Sequence, residues 1–580
     1  MKDFWKMLLA VICGLFIAGF IGFVLIAGFI GAAAAVGGGA KPVLPKSGVL
    51  AIDMSRFVLS ETEQPTNPMN SLNGKTVPNV SLYKAVKALQ LAAKDPGVEY
   101  VFLRADGNLS GVASLEEFRV ALAEFRRSGK AVVAFTESPS TGSYWLASVA
   151  DKVYMTAYPG GMVTLTGLSM QTFFLKDLLD KFGVHMQLIR HGKYKSAGEM
   201  FIRNSPSPEN HEQYQALVDA MWGAVSAQIA ESRGIPVDAL NAAIDGLTLC
   251  LPEDFLSAGL VDGLLSREEL KEKLATYAGA ASFDDVKMIP FPDYVQVRIL
   301  PQLRPKNKIA VIYADGSIVD GDDPMNVDGD RFARTVAKVR ADSTVKAVVL
   351  RVNSPGGSVL ASDKIKHELD LLGTVKPLVA SYGTYAASGG YWISNNCGHI
   401  FSDATTLTGS IGVFGLVPDF SKTAKDVLHI GVMSVNSNKH GDMFSSMRPF
   451  DAQEYAYMER SIEDIYDRFT SIVSEGRDLP KARVDEIGQG RVWAGADALG
   501  IGLVDEIGTL QDAIHYAAVA AGITPGSESV VALPEPMTEL EMILEMFGQK
   551  TRPEEFVKVK LREYSRPQVL ARTPYEYTIL

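Results

Sequence analysis

Val345-Lys-Ala-Val-Val-Leu-Arg351 restates an earlier stretch, Gly97-Val-Glu-Tyr-Val-Phe-Leu-Arg104. Each is a short apolar run that ends in arginine, the pattern of a strand covered on both faces. The echo continues outward. Tyr144-Trp145 returns as Tyr391-Trp392, and Gly259-Leu-Val-Asp-Gly263 returns as Gly502-Leu-Val-Asp-Glu506. The copies lie roughly 250 residues apart, far more than a solenoid unit, so one domain occurs twice. In the first copy, strand patterns at 48–53, 100–104 and 131–135 alternate with helical patterns at 81–93 and 115–127. In the second, strands at 309–313, 347–351 and 378–381 alternate with helices at 332–341 and 363–372. This alternation predicts an α/β fold built of βα units around a mostly parallel sheet. Each copy closes on a long amphipathic helix, at 210–233 and 452–477.

A chain of 580 residues has room for two or more such domains. Its net charge of −11 argues against nucleic acid as a partner, since phosphate binding needs clustered Lys and Arg. Cys13, Cys250 and Cys397 are too few and scattered for a disulfide framework or a zinc site. No His-Glu-x-x-His pair occurs, and neither a metal nor a cofactor is expected.

The N-terminus sets the expected compartment. Residues 7–36 carry no charge. About 20 apolar residues cross a bilayer, whereas the apolar core of a cleavable signal is only about 7–15 residues long. Lys2 and Lys6 precede the segment and favour a cytoplasmic N-terminus, with the rest of the chain outside. The expected organisation is an anchor and linker at 1–46, a first repeat at 47–300, a second at 301–533 and an extension at 534–580. A helix is expected at 538–547, in a tail read as a surface strap or assembly arm.

Three segments carry chemistry. Asn353-Ser-Pro-Gly-Gly-Ser-Val359 follows a strand, and its paired glycines can present backbone N–H groups to a phosphate or an oxyanion. Tyr385-Ala-Ala-Ser-Gly-Gly-Tyr-Trp392 places Ser388 among small neighbours, open to a substrate backbone; read alone, it is a helix cap. The first copy has Thr141 at that position. A serine nucleophile needs a base. In Gly192-Lys-Tyr-Lys-Ser-Ala-Gly198, an extended backbone would turn Lys193 and Lys195 to opposite sides, one outward and one inward. The second copy sets Lys439 against Lys193 and offers no lysine for Lys195. The chain contains no Gly-x-Ser-x-Gly elbow, which counts against an α/β-hydrolase.

Leu350-Arg-Val-Asn-Ser-Pro-Gly-Gly-Ser-Val359, Tyr385-Ala-Ala-Ser-Gly-Gly-Tyr-Trp-Ile393, Leu407-Thr-Gly-Ser-Ile-Gly-Val413 and Gly192-Lys-Tyr-Lys-Ser-Ala197 together resemble the long, double-repeat bacterial signal peptide peptidases of the protease IV type. The resemblance implies two tandem ClpP/crotonase-like domains behind a transmembrane helix. It implies a Ser/Lys dyad, with Ser388 as nucleophile, Lys195 as general base and Ser410 orienting the lysine. Gly389, with Gly356 or Gly357, would hold the oxyanion. It further implies a homotetramer on the outer face of the inner membrane that degrades spent signal peptides. The chemistry requires Lys195 to be desolvated, because a lysine near its free pKa of about 10.4 cannot accept a proton at neutral pH. Nucleophile and base stand in different copies, so the site is expected between them, and separately expressed halves should be inactive. Two other readings remain at this point: a crotonase-type acyl-transfer enzyme and a catalytically inactive membrane scaffold.

Overall fold

The computed structural model describes residues 42–63, 77–107, 110–300, 306–321, 326–535 and 568–572. The expected membrane segment at 7–36 and the helix at 538–547 lie outside them. Among the described residues no helix is long and apolar enough to cross a membrane.

The first repeat is built on six parallel strands in the spatial order Gly263–Leu265, Lys152–Thr156, Val132–Thr136, Val98–Arg104, Gly48–Asp53 and Met288–Pro290. The second repeats the plan with Leu407–Gly409, Leu378–Ala387, Val345–Ser354, Lys308–Asp315 and Ser529–Leu533 in parallel. Val492–Ala494 closes this sheet antiparallel to Leu407–Gly409. The central strands are apolar along both faces because helices cover each side. Observed strands overrun the apolar cores seen in sequence: Val345–Ser354 and Leu378–Ala387 each span 10 residues. Their C-terminal ends carry Ser354 and Ala387 to the same rim, where Ser354 lies opposite Ala386.

Local signals fix the long helices. Ser207 caps Pro208–Arg233 by accepting from the Asn210 N–H, and Gly234 ends it in a left-handed conformation. Asp451 caps Ala452–Arg477 by accepting from the Gln453 and Glu454 N–H groups.

The two repeats are welded together in three ways. The apolar core of the first takes in Leu407, Val492 and Ala494 of the second. Arg351, fully desolvated in the second repeat, meets two carboxylates from the first: Glu61 at 2.8 and 2.9 Å, and Glu117 at 2.6 Å. A third, mixed sheet is shared by both. Its order is Val327–Asp328, Ile318–Val319, Gly356–Ser358, Gln568–Arg572, Phe414–Asp419 and His185–Arg190. In it, His185–Arg190 of the first repeat runs antiparallel to Phe414–Asp419 of the second, from Arg190 opposite Phe414 to His185 opposite Asp419.

Candidate active site

Ser388 sits at the junction between the strand Leu378–Ala387 and the helix Gly389–Ser394. Its backbone has φ 55° and ψ −111°, a conformation that costs a non-glycine residue about 1–3 kcal/mol. The junction is pinned on both sides: the Ser388 N–H donates to Gly409 O at 2.8 Å, and Trp392 N–H donates to Ser388 O at 2.7 Å. Ser388 holds the cap position, yet its side chain makes no capping bond. The hydroxyl is turned elsewhere.

It faces Lys195, which arrives on the turn after the shared strand His185–Arg190. Lys195 Nζ lies 2.8 Å from Ser388 Oγ, 3.0 Å from Ser410 Oγ and 3.2 Å from Ser410 O. Lys195 is 1% exposed, and Ser388 and Ser410 are wholly buried. Burial pushes the lysine pKa down to about 7. A neutral amine fits the three neighbours one for one: its lone pair accepts the Ser388 O–H, and its two N–H bonds reach the two oxygens of Ser410. The segment is a turn and not extended, so strand alternation does not apply to it, yet the two lysines do part. Lys193 is exposed over the ring of Tyr194, and Lys195 points inward.

Ser410 also carries a positive φ, 51°, and its N–H donates to Arg491 O at 2.7 Å. The chain at 488–491 packs against both Ser410 and the backbone of Lys195. Ser410 Oγ lies 3.4 Å from Gly490 O, and Gly490 N–H donates to Ile411 O at 2.7 Å. Gly490 touches Lys195 so closely that a Cβ would fall 2.5 Å from the lysine Cβ.

Further groups hold the lysine turn. Arg190 Nη1 donates to Lys195 O at 2.8 Å and to the buried Glu199 at 3.0 Å. The wholly buried Glu199 also accepts from Ser207 N–H and Asn210 Nδ2. Gln213 Nε2 donates to Tyr194 O and Ser196 Oγ, while its Oε1 accepts from Val492 N–H across the repeat boundary. Sequence reasoning missed Gly490, Arg190, Glu199 and Gln213; polar residues such as Glu199 and Gln213 give no sign in the sequence that they are buried.

Of the expected oxyanion glycines, Gly389 opens the helix Gly389–Ser394, where the first N–H groups have no partner inside the helix. Gly356 and Gly357 form the strand Gly356–Ser358 on the same rim, and Gly356 N–H donates to Ser354 Oγ at 3.2 Å. Gly357 has no room for a side chain, since a Cβ there would overlap the Ile318 carbonyl.

The corresponding place in the first repeat is closed. Thr141 starts the helix Thr141–Ala147, and its hydroxyl donates to Gly167 O at 2.9 Å. Leu168 follows that glycine where Ser410 follows Gly409. Lys439 is exposed and donates to Gln453 Oε1 at 2.9 Å. One constellation therefore forms within a single chain, with its amine from the first repeat and both hydroxyls from the second.

Comparison with known proteins agrees with this duplication. Peptidase family S49 matches residues 124–281 and again residues 371–524. Protease 4 of Haemophilus influenzae is 36% identical over 520 residues, covering 86% of this chain and 83% of that protein. A putative signal peptide peptidase SppA of Enterococcus faecium is 34% identical over 184 residues, covering 32% of this chain and 53% of its own. Among solved structures, a ClpP1 mutant of Listeria monocytogenes covers 35% of this chain and 94% of its own, at 14% identity and a TM-score of 0.25.

Proposed function

The chain belongs to peptidase family S49 and is a serine-type peptidase; on that premise we propose that Ser388 and Lys195 are its nucleophile and general base, and that spent signal peptides are its substrates. The observation that carries the assignment is the 2.8 Å contact between Lys195 Nζ and Ser388 Oγ inside a dry interface. Neutral Lys195 takes the Ser388 proton as Oγ attacks the scissile carbonyl, giving a tetrahedral intermediate. The ammonium then gives its proton to the leaving amine, the C–N bond breaks and an acyl-enzyme remains. The lysine next activates a water that releases the acid. Ser410 orients the amine without supplying the carboxylate that would hold it protonated. Gly389 N–H, with that of Gly356 or Gly357, stabilises the oxyanion, each donor worth about 2.7–4 kcal/mol.

Family membership disfavours the acyl-transfer reading, and an intact amine–alcohol contact disfavours an inert scaffold. The likeness to the signal peptide peptidase SppA of Enterococcus faecium supports signal peptides as substrates. The uncharged run at 7–36 supports a single-pass anchor in the inner membrane, with the catalytic body on its outer face. Two ClpP/crotonase-like repeats at 47–300 and 301–533, assembled as a homotetramer, complete the reading. A fluorophosphonate probe should label Ser388, and Ser388→Ala or Lys195→Ala should cut hydrolysis of a signal-peptide substrate by at least about 10³-fold. Turnover unchanged by either substitution overturns the dyad.

A further inference from the structure

Lys195 stands on a turn and not in a helix or strand, so neighbours from elsewhere in the chain have to hold it. The chain at 488–491 is one of them, and its own support is Tyr466, a buried residue of the helix Ala452–Arg477. The Tyr466 hydroxyl donates to Asp485 Oδ1 at 2.6 Å and accepts from Gln489 N–H at 3.2 Å. Gln489 O in turn accepts from the N–H of Tyr194, the residue before the lysine, at 2.9 Å. The backbones also meet at Gly192, where a Cβ would fall 2.4 Å from the Gln489 carbonyl. The Tyr466 ring stacks on His191, with centroids 3.7 Å apart and planes 20° from parallel. His191 begins the lysine turn. Its N–H donates to Val413 O at 3.1 Å, and its Nδ1 lies 2.7 Å from Glu463, on the helix that carries Tyr466. One side chain of the second repeat therefore reaches both His191 and Gln489.

The duplication separates what the fold needs from what the site needs. Arg233 and Arg477 are equivalent: each ends its long helix and donates to the first carbonyl of a Gly-Leu-Val-Asp turn, Gly259 O and Gly502 O. Counted from these arginines, Tyr466 corresponds to Trp222 and Asp485 to Asn241. Trp222 Nε1 donates to Asn241 Oδ1 at 2.9 Å. The first repeat thus makes the same helix-to-helix bond with an indole, which donates and cannot accept. The second repeat, beside the lysine turn, makes it with a hydroxyl, whose lone pair takes Gln489 N–H. Burial, and then the Asp485 carboxylate, hold the Tyr466 hydroxyl well above the ordinary phenol range, so it keeps the proton it gives to Asp485.

We propose that Tyr466 is a positioning residue for the general base: its ring seats His191 and its hydroxyl holds Gln489, clamping the Lys195 turn from both sides so that the amine stays on Ser388. This inference rests on the peptidase reading above. A lysine side chain is long and flexible, and a neutral amine has no carboxylate to fix it. Its place must come from its backbone, and an error of about 1 Å there costs roughly 10²-fold in rate. Tyr466 acts at one remove, through Gln489 and Tyr194, and not on the substrate. Without its hydroxyl, Gln489 N–H loses its acceptor, and the chain at 488–491 loosens against the lysine backbone.

The test compares the full chain with its Tyr466→Phe and Tyr466→Trp variants, using a fluorogenic peptide for turnover and a fluorophosphonate to count reactive Ser388. Phenylalanine keeps the stack on His191 and loses both hydrogen bonds. Tryptophan brings in the donor of the first repeat and still offers no acceptor. In both, kcat per labelled site should fall about tenfold with KM little changed. The midpoint of the acid limb of kcat/KM should move up by about half a pH unit, because a loosened amine meets water. An unmoved midpoint in Tyr466→Phe overturns the inference and leaves the peptidase reading standing, whether turnover is kept or falls only with the number of labelled sites. Parent kinetics in Tyr466→Trp overturn it too, since an indole cannot hold Gln489. Where the larger ring prevents folding, Tyr466→Phe alone decides. A parent chain that neither hydrolyses the peptide nor takes the label overturns the peptidase reading, and this inference with it.

Discussion

Gly490 lies against Lys195 backbone to backbone: a Cβ at Gly490 would fall 2.6 Å from the lysine N, 2.7 Å from its Cα and 2.5 Å from its Cβ. Gly490 also has φ +80°, where a side chain is strained whatever the space. The expected effect of Gly490→Ala is displacement of the Lys195 turn. A misplacement of about 1 Å costs roughly 10²-fold in rate, so kcat/KM should fall by about that factor. The pH profile separates this positioning role from a folding defect. A displaced amine regains water and titrates higher, whereas a smaller folded fraction scales the profile without moving it. A Gly490→Ala enzyme with normal kcat/KM contradicts the close packing.

With Lys195 as the proposed base, its ionisation should set the acid limb of activity. Burial disfavours its ammonium and brings the pKa down to about 7. The base works only when neutral, so kcat/KM should rise with pH through a midpoint near 7 and then level off. The residual activity of Lys195→Ala should lack that limb. A midpoint near the ordinary lysine value in the parent enzyme would show that the amine is solvated.

The same shift makes the dyad costly to fold. The unfolded chain holds a proton on Lys195 up to about pH 10.4, while the folded chain releases it near 7. The folded state binds fewer protons, so stability rises as pH climbs between these values, and below about 7 the full penalty applies. At 1.36 kcal/mol per pKa unit the penalty is on the order of 5 kcal/mol. Lys195→Met should therefore stabilise the protein most in acid, with a gain that shrinks toward pH 10. Urea midpoints at pH 6 and pH 9.5 measure this, and equal gains at both would contradict the linkage.

Arg351 should be the most sensitive point of the repeat interface. Burial opposes its charge, but Glu117 and Glu61 hold its pKa well above the ordinary value. Arg351→Ala leaves two buried carboxylates without their cation, a loss of about 3–5 kcal/mol. Chemical denaturation of the variant gives the number directly. A loss below about 1 kcal/mol would show that water reaches Glu61 and Glu117.

Much of this architecture is legible in the chain, because apolar periodicity and repetition are local properties. The helix at 452–477 has the bounds read from its pattern, and the strand positions recur in both repeats. That one of Lys193 and Lys195 could turn inward was legible from their alternation about Tyr194, but the choice of Lys195 came only from the resemblance to the peptidase family. Gly490 was not, since its need for hydrogen in place of a side chain arises from Lys195, 295 residues earlier in the chain. Glu61 and Glu117 read as solvated charges until Arg351 comes to meet them. Nor does Gln-Val-Leu-Ala-Arg at 568–572 announce a central strand, because five residues hold too little periodicity to reveal which sheet will receive them.

The strand shared by the repeats also bears on biosynthesis. Domains fold from the N-terminus during synthesis, at roughly 5–20 residues per second. A chain of which only the first repeat has been made holds Lys195 without Ser388, and the partner strand Phe414–Asp419 does not yet exist. Products that end before Ser388 should be inert for the same reason. On the proposed dyad, a degradative enzyme of this design would be harmless to its unfinished neighbours until both halves are complete and joined.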